Sequence, residues 1–506
     1  MPDDAPRDIP RPPPPVAAGP TLPEQKSGTR RNLVLAACLM ATFMAAVESS
    51  IVATAIPTLV GDLGGFNLFS WVFTIYLLTQ AVSIPVYGRL ADLFGRKRIF
   101  YIGAGVFLLG STLCGFAWSM PVMIGFRALQ GFGAGGVQPI ASTILGDIYA
   151  PAERAKVQGL VSSVFGVSAV AGPSLGAFLI THLSWQAVFW VNIPVGAMAI
   201  GMIAVLLRED IHKRSHRIDW LGSLLLLASV GLLMIALVQG GTLATPVLAG
   251  LVAAGVASLA ALYWHERRTK EPMLPLELWR IRLIAVGSLG NGTAGAVTMG
   301  MAAFLPTYIQ GAMGDTPLMA GTVLGAMSVA WALLSVVGGR LMVRTSYRLV
   351  AVLGAMGLCA GSGMLQTIGP ADGPWPAALA AFIIGGGMGF CSTSFIVSVQ
   401  TSVPWHQRGA ATSSTMFMRF IGQSVGTAGC AAVLNLSLRR MDPSSVDQVR
   451  LLLEPAARSA LPPDRLAHLV SIVATGLHHA YLLTLAAAIG TLCFASLVPK
   501  GVSPRG

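Results

Sequence analysis

Charge is scarce in this sequence. Only 11% of its 506 residues are Asp, Glu, Lys or Arg, less than half of the roughly 25% usual in soluble globular chains. Together with 54% hydrophobic residues and a mean hydropathy of +0.70, that shortage excludes a string of soluble domains. The six cysteines (Cys38, Cys114, Cys359, Cys391, Cys430 and Cys493) lie singly inside apolar runs. They lack metal-ligand spacing, so small buried side chains are expected and a disulfide framework is not. The Gly-x4-Gly-Lys-Ser/Thr loop that would bind a nucleotide is missing, as is any Ser/His/Asp or His/Glu cluster with catalytic spacing. His478-His479 reads as a pair at a membrane edge and not as a metal site. No enzyme, cofactor or metal is expected.

What the chain does contain is a succession of apolar runs of about 20 residues, the length a helix needs to cross a bilayer core. Only helices and closed barrels satisfy their backbone groups in lipid, and the alternation of barrel strands is lacking. The expected fold is an all-α membrane bundle. Runs and breakers place fourteen spans at 33–59, 69–88, 99–118, 121–145, 157–181, 186–207, 218–239, 245–264, 283–312, 317–341, 347–368, 376–400, 409–435 and 477–498. Residues 1–32, with Pro12 to Pro15, form a disordered tail and not a secretory signal; residues 499–506 form a second tail.

The net charge of +12 does not mark a nucleic-acid binder, because the basic residues sit in short loops and form no basic domain. Their placement reports orientation instead. If the N-terminus is cytoplasmic, 26 of the 33 Lys and Arg fall in the tails and cytoplasmic loops, and five fall outside, all in the long loop 436–476. Both termini are therefore expected in the cytoplasm of a multi-pass protein of the cell (inner) membrane. The outer loop, with Pro455, Pro462, Pro463 and an amphipathic piece from Val446 to Leu453, could rest on the bundle or meet a periplasmic adaptor.

The chain also repeats itself. Gly131, Gly133, Gly135 and Gly136 precede Pro151 and Arg154, as Gly385, Gly386, Gly387 and Gly389 precede Pro404 and Arg408. Gly88-Arg-Leu answers Gly339-Arg-Leu. The offsets, 253 from Gly136 to Gly389 and 251 from Gly88 to Gly339, divide the chain into six-helix halves at 33–208 and 282–498, with two helices inserted at 217–264. Facing repeats are a transporter architecture, with substrate held between them near mid-bilayer.

The loop Gly88-Arg-Leu-Ala-Asp92-Leu-Phe-Gly95-Arg96-Lys97-Arg98 is a tight turn with an acid close to three cations. It resembles the signature of the major facilitator superfamily. Arg127-Ala-Leu-Gln130-Gly131-Phe-Gly133 is similar to that family's proton-coupling motif. Gly166 to Gly176, through Gly172 and Pro173, resembles its antiporter motif. Glu48 to Pro57, Phe189 to Gly196 and Leu305 to Gln310 fit the fourteen-span drug:proton antiporters. Two positions depart from the pattern: Glu48 stands where Asp is commoner, and Val343 stands where Asp92 would align in the second half.

Glu48 is the single acid well inside a span, and a carboxylate left ionised and unpaired in a low-dielectric bundle is costly. It is read as a proton-loading site, or else as a static pair with a polar neighbour. Arg127 either snorkels to the outer surface or, as the resemblance implies, is buried and tunes a nearby acid. Asp92, Arg96, Asp147 and Arg154, with Gly88 and Gly95, could meet at the cytoplasmic ends of spans 2 to 5, where the family has a gate latch that stabilises the outward-open state; a solvated network is the alternative. Gly172 and Gly176 are one GxxxG step apart, which suits a tight seam between halves. Pro173 can kink the helix. Gln130, Asn192, Gln310, Gln400, Arg419 and Gln423 are candidates for the substrate cavity, or else interhelical hydrogen bonds; Arg419 has no motif support either way.

The resulting expectation is a monomeric proton antiporter. It would export lipophilic compounds, cationic or amphiphilic, and take a small-molecule substrate, protons and the lipid bilayer as partners. A dedicated exporter of one metabolite, siderophore or antibiotic is the alternative, and a nutrient importer or a membrane sensor lies further off.

Overall fold

The computed structural model describes residues 28–63, 69–209, 219–239, 243–269, 276–442, 452 and 458–499. Among the described residues every long element is a helix: α1 (Gly28–Leu63), α2 (Phe69–Phe94), α3 (Arg96–Cys114), α4 (Met120–Ile148), α5 (Pro151–His182), α6 (Ala187–Trp190), α7 (Asn192–Leu206), α8 (Trp220–Gln239), α9 (Thr245–Glu266), α10 (Arg282–Thr307), α11 (Pro317–Arg344), α12 (Tyr347–Met364), α13 (Pro374–Thr401), α14 (Arg408–Met441) and α15 (Pro463–Leu497). With α6 and α7 taken as one interrupted span, these are fourteen segments.

Eleven segments are long and apolar enough by themselves to cross a membrane. Helices α4, α5 and α10 are not among them; α4 and α10 are rich in glycine and polar residues and largely buried among their neighbours. A helix enclosed by others needs no continuous apolar surface.

Several boundaries shift from the sequence reading. Helix α1 starts at Gly28, so residues 28–32 belong to it, while 1–27 lie outside the described residues. The sixth span is split at Val191 into α6 and α7. Helices α14 and α15 reach Met441 and start at Pro463, which shortens the loop expected at 436–476 to about half. The expected piece from Val446 to Leu453 lies outside the described residues except for Leu452. The ninth span ends in a π-helical turn, Tyr308–Ala312, which follows Pro306.

The repeat is visible in the packing. A β-carbon on Gly133 of α4 would fall 2.7 Å from the Gly103 carbonyl oxygen of α3, and one on Gly387 of α13 would fall 2.6 Å from the Gly354 oxygen of α12. Gly135 would likewise meet the Gln80 oxygen of α2 at 2.6 Å, and Gly389 the Trp331 oxygen of α11 at 2.7 Å. Each glycine removes the side chain that would hold two backbones apart. The packing partners Gly103 and Gly354 are offset by 251, whereas Gly133 and Gly387 are offset by 254. Three more residues separate Gly354 from Gly387 than separate Gly103 from Gly133, so α4 and α13 align at 254 and not at 253.

The halves meet along two seams, α5 against α11 and α2 against α14. In the first, Gly159 and Gly166 bring α5 onto α11, where added β-carbons would lie 2.9 Å from the Ser335 oxygen and 2.7 Å from the Ser328 oxygen. Gly172 and Gly176 are buried further along the same helix. The helix continues through residue 173 without a break. The inserted helices α8 and α9 pack on each other, and α8 lies against α2 and α14.

These contacts predict a contrast between two glycines. Gly133→Ala must displace backbone of α3 and is expected to destabilise the protein by about 1–3 kcal/mol, the usual cost of overpacking. Gly105→Ala, with nothing within 4 Å of its β-carbon, should be neutral. Thermal unfolding of the detergent-purified variants checks this, and equal melting temperatures would contradict the packing.

Candidate functional site

Two groups of buried charge stand out. The first lies inside the first half. Glu48 of α1 and Arg127 of α4 form an ion pair, both side chains 0% exposed. Arg127 is therefore buried and does not snorkel. Its Nη1 also donates to Gln130 Oε1 at 2.7 Å, and its Nε donates to the Val72 oxygen at 3.1 Å. Asn192 Nδ2 donates to the other Glu48 oxygen at 2.6 Å. Ser111 Oγ accepts from Gln130 Nε2 and Asn192 Nδ2, each at 3.0 Å, and donates to the Phe189 oxygen at 2.8 Å. The guanidinium lies 4.2 Å from the Tyr76 ring centroid, a cation–π contact in a dry setting.

The local sequence builds this cluster. Gly110 lets α4 approach α3, since a β-carbon there would fall within 2.6 Å of the Gln130 backbone. The interruption at Val191 presents Asn192 at the start of α7. Gln130 and Asn192 thus take the second of the two places expected for them, interhelical hydrogen bonds, here around the ion pair. Ser111 and Tyr76 were not anticipated, because a lone hydroxyl in a span carries no local signature.

The second group lies where the basic loops gather, at the basic end of the bundle. Gly95 adopts φ 93°, a left-handed conformation that favours glycine, and turns the chain from α2 into α3. This sets Arg96 between two acids: its Nη2 is 2.8 Å from Asp92 and its Nε 3.0 Å from Asp147. All three side chains are at most 2% exposed, so the network is not a solvated one. Glu209 accepts from the backbone N–H of Arg96 at 2.8 Å and of Lys97 at 2.9 Å, capping α3.

The same residues reach across to the second half. Arg96 donates to the Trp405 oxygen at 2.6 Å and lies over its ring at 3.8 Å. Asp92 accepts from the N–H groups of Gly409 at 3.0 Å and Ala410 at 2.7 Å. A carboxylate from one half therefore caps the N-terminus of α14 in the other, where the helix dipole favours an anion. Gly88 and Gly409 permit the approach: a β-carbon on Gly409 would fall 2.7 Å from both Asp92 Oδ1 and the Gly88 oxygen.

Arg154, expected at this network, instead donates to the Tyr149 oxygen at 2.9 Å. The partner of Asp147 from the second half is Arg408. Arg408 is Arg154's counterpart at the 254-residue offset, so the repeat held the signal for it. Gln400, expected in the cavity, donates to the Ser142 oxygen at 3.3 Å and closes the same end. No reverse contact of this kind is formed among the described residues. At the second-half positions of Asp92 and Asp147 stand Val343 and Thr401, and the start of α5 is served by its own Glu153, which accepts from Ala150 N–H at 3.4 Å.

The remaining expected cavity residues divide. Gln310 lies in the π-helical turn, where its carbonyl accepts from Arg458 at 3.2 Å. Gln423 lines a cavity of about 290 Å³ between α2, α8, α10 and α14. Arg419 is buried one turn before it.

Repeated helix sets, clamped together at one end around paired charge, define a multi-pass membrane transporter. The chain belongs to the Major Facilitator Superfamily, whose family model matches residues 38–427, and it is a transporter and not an enzyme. It is 30% identical over 472 residues to multidrug resistance protein 3 of Bacillus subtilis, covering 90% of this chain and 92% of that one. It is 32% identical over 415 residues to the multidrug transporter protein MdtP of the same organism, covering 80% and 76%. The crystal structure of the human organic anion transporter MFSD10 shares the fold, with a TM-score of 0.62 at 14% identity over 90% of this chain and 99% of that one.

The cross-half contacts predict that Arg96→Gln opens the basic end. In a cysteine-free background, a cysteine placed at Ser142, now 1% exposed, should react with maleimide at least about tenfold faster when Arg96 is replaced, as expected when the loss of buried charged contacts shifts an equilibrium by a kcal/mol or more. An unchanged labelling rate would show that the contacts do not hold the end shut.

Proposed function

We infer that this protein is a proton-coupled antiporter that exports lipophilic small molecules across the cell (inner) membrane by alternating access, with both termini in the cytoplasm. The observation that carries the reading is the Glu48–Arg127 pair, wholly buried and held by Asn192, Gln130 and Ser111. A carboxylate whose charge is matched by a fixed cation can gain a proton only by giving up that match, so protonation and a rearrangement of the cluster are one event. The names of the Bacillus relatives, a multidrug resistance protein and a multidrug transporter, support drug-like substrates.

In the proposed cycle the basic end is the cytoplasmic gate. The arrangement of Asp92, Arg96, Asp147 and Arg408 is that of a cycle stage closed toward the cytoplasm. A proton reaching Glu48 from outside loosens its hold on Arg127 and Asn192. Rocking of the halves about the α5–α11 and α2–α14 seams then requires Asp92 to leave the start of α14 and Arg408 to leave Asp147. Release of the proton inward re-forms the buried pair and resets the site.

Glu48→Gln tests this in vesicles that hold the full-length protein and a lipophilic dye. Wild type should export the dye faster when a pH gradient is imposed. The variant should lose that acceleration by about tenfold or more, the usual range for removing a proton-transferring group, while still binding the dye. Because removing one partner of a buried pair costs about 3–5 kcal/mol, its melting temperature is measured alongside, and Glu48→Asp, which keeps the charge, should retain part of the coupling. Undiminished gradient-driven export by a folded Glu48→Gln variant would defeat the assignment.

A further inference from the structure

Three arginines are buried among the described residues. Two have carboxylates: Arg127 has Glu48, and Arg96 has Asp92 and Asp147. The third, Arg419 on α14, is 5% exposed and forms no salt bridge or side-chain hydrogen bond among the described residues, where its Nε is a buried donor without a partner. A buried cation demands an anion or water, and among the described residues no carboxylate pairs with this one. The aromatic contact it makes, 5.5 Å to the ring of Phe420, is at the outer limit of cation–π range.

Phe420 and Gln423, the residue after Arg419 and the one a turn beyond it, both line the 290 Å³ cavity, which places Arg419 behind that wall and not in it. The other walls are mostly apolar: Leu77 and Leu78 from α2, Met234 from the inserted α8, and Met299 from α10. Gln423, one turn beyond Arg419, adds an amide with no protein partner among the described residues. Ser424 and Thr427 in the same wall spend their hydroxyls on their own helix, on the Phe420 oxygen at 3.1 Å and the Gln423 oxygen at 2.9 Å. A flexible apolar wall with methionines from two helices and one unengaged amide, backed by an unengaged cation, matches a ligand with a lipophilic body and a single anionic head.

We propose that this cavity binds lipophilic organic anions, with Arg419 holding the carboxylate and the walls from α2, α8, α10 and α14 holding the body. The proposal rests on the transport reading above and narrows it, reversing the cationic preference expected from the sequence. Planar, delocalised guanidinium suits a carboxylate by paired N–H donation, which an ammonium cannot reproduce.

The test uses three probes that share one body: pyrenebutyrate, the neutral pyrenebutanol and pyrenebutylammonium. Their binding to the full-length purified protein is measured in phosphatidylcholine nanodiscs. Wild type should prefer the carboxylate over the alcohol by at least about tenfold, as a charge-assisted hydrogen bond allows. Arg419→Gln should erase the preference, and Arg419→Lys should keep part of it, which guards against a variant that merely misfolds. Equal preference in wild type and Arg419→Gln, or a preference for the ammonium, overturns the proposal.

An anionic lipid headgroup is the rival source of the same chemistry. If phosphatidylglycerol raises the melting temperature of wild type but not of Arg419→Gln, and no carboxylate preference exists, the cation serves lipid and the proposal falls. Transport of the three probes under a pH gradient separates the two levels of the argument. Gradient-driven movement without charge selection leaves antiport standing and removes this inference. No gradient-driven movement of any probe, with the carboxylate preference intact, removes antiport and leaves the anion site.

Discussion

A charge enclosed by spanning helices must be matched by another charge or by water, and this constraint orders the molecule. It explains why the acids Glu48, Asp92 and Asp147 each stand against an arginine. It also explains why polar residues in the spans are spent on those pairs: Gln130 and Asn192 on one, and Gln400 on the neighbourhood of another. The glycines serve the same end, since Gly110 and Gly409 allow the approaches that bring the charges into contact. Arg419 is a buried cation left outside this pairing, which is why it points to a ligand.

The fold was legible because its determinants are local. Twenty-residue apolar runs, the glycine-rich stretches of α4 and α13, and the recurring Gly-Arg-Leu all read directly from the chain. What stayed hidden required juxtaposition. A glutamine inside a span looks the same whether it lines a cavity, as Gln423 does, or braces an ion pair, as Gln130 does. The depth of Arg127 could not be fixed without knowing that Glu48 and Asn192 arrive from other helices. Ser111 becomes visible only as the oxygen on which two amides converge.

The charged network at the basic end shows a subtler limit. Reading each half separately placed Arg154 with Asp147, its neighbour in sequence, whereas the pairing runs between halves, through Arg408. Because Val343 and Thr401 replace the two acids in the second half, the latch is built on one side alone. A symmetric pair of latches would add to the cost of opening this end. A single one leaves opening dependent on the Asp92 cap, the Arg96–Trp405 contact and the Asp147–Arg408 pair, each of which a modest shift of α14 can break together.

The two charged groups are not in contact, so coupling between them needs a rigid element, and α4 is placed to be it. Arg127 and Gln130 near its start belong to the Glu48 cluster, and Asp147 near its end belongs to the latch. Twenty residues of helix separate Arg127 from Asp147, about 30 Å at 1.5 Å per residue. The glycines along that length pack α4 tightly against α2 and α3, which resists sliding but leaves rotation and tilt of the group as a body. A proton that frees Arg127 from Glu48 would then release α4 at one end and bear on Asp147 at the other. In such a scheme the coupling strength depends on the stiffness of the α2–α3–α4 packing, and not on any direct path for charge between the sites.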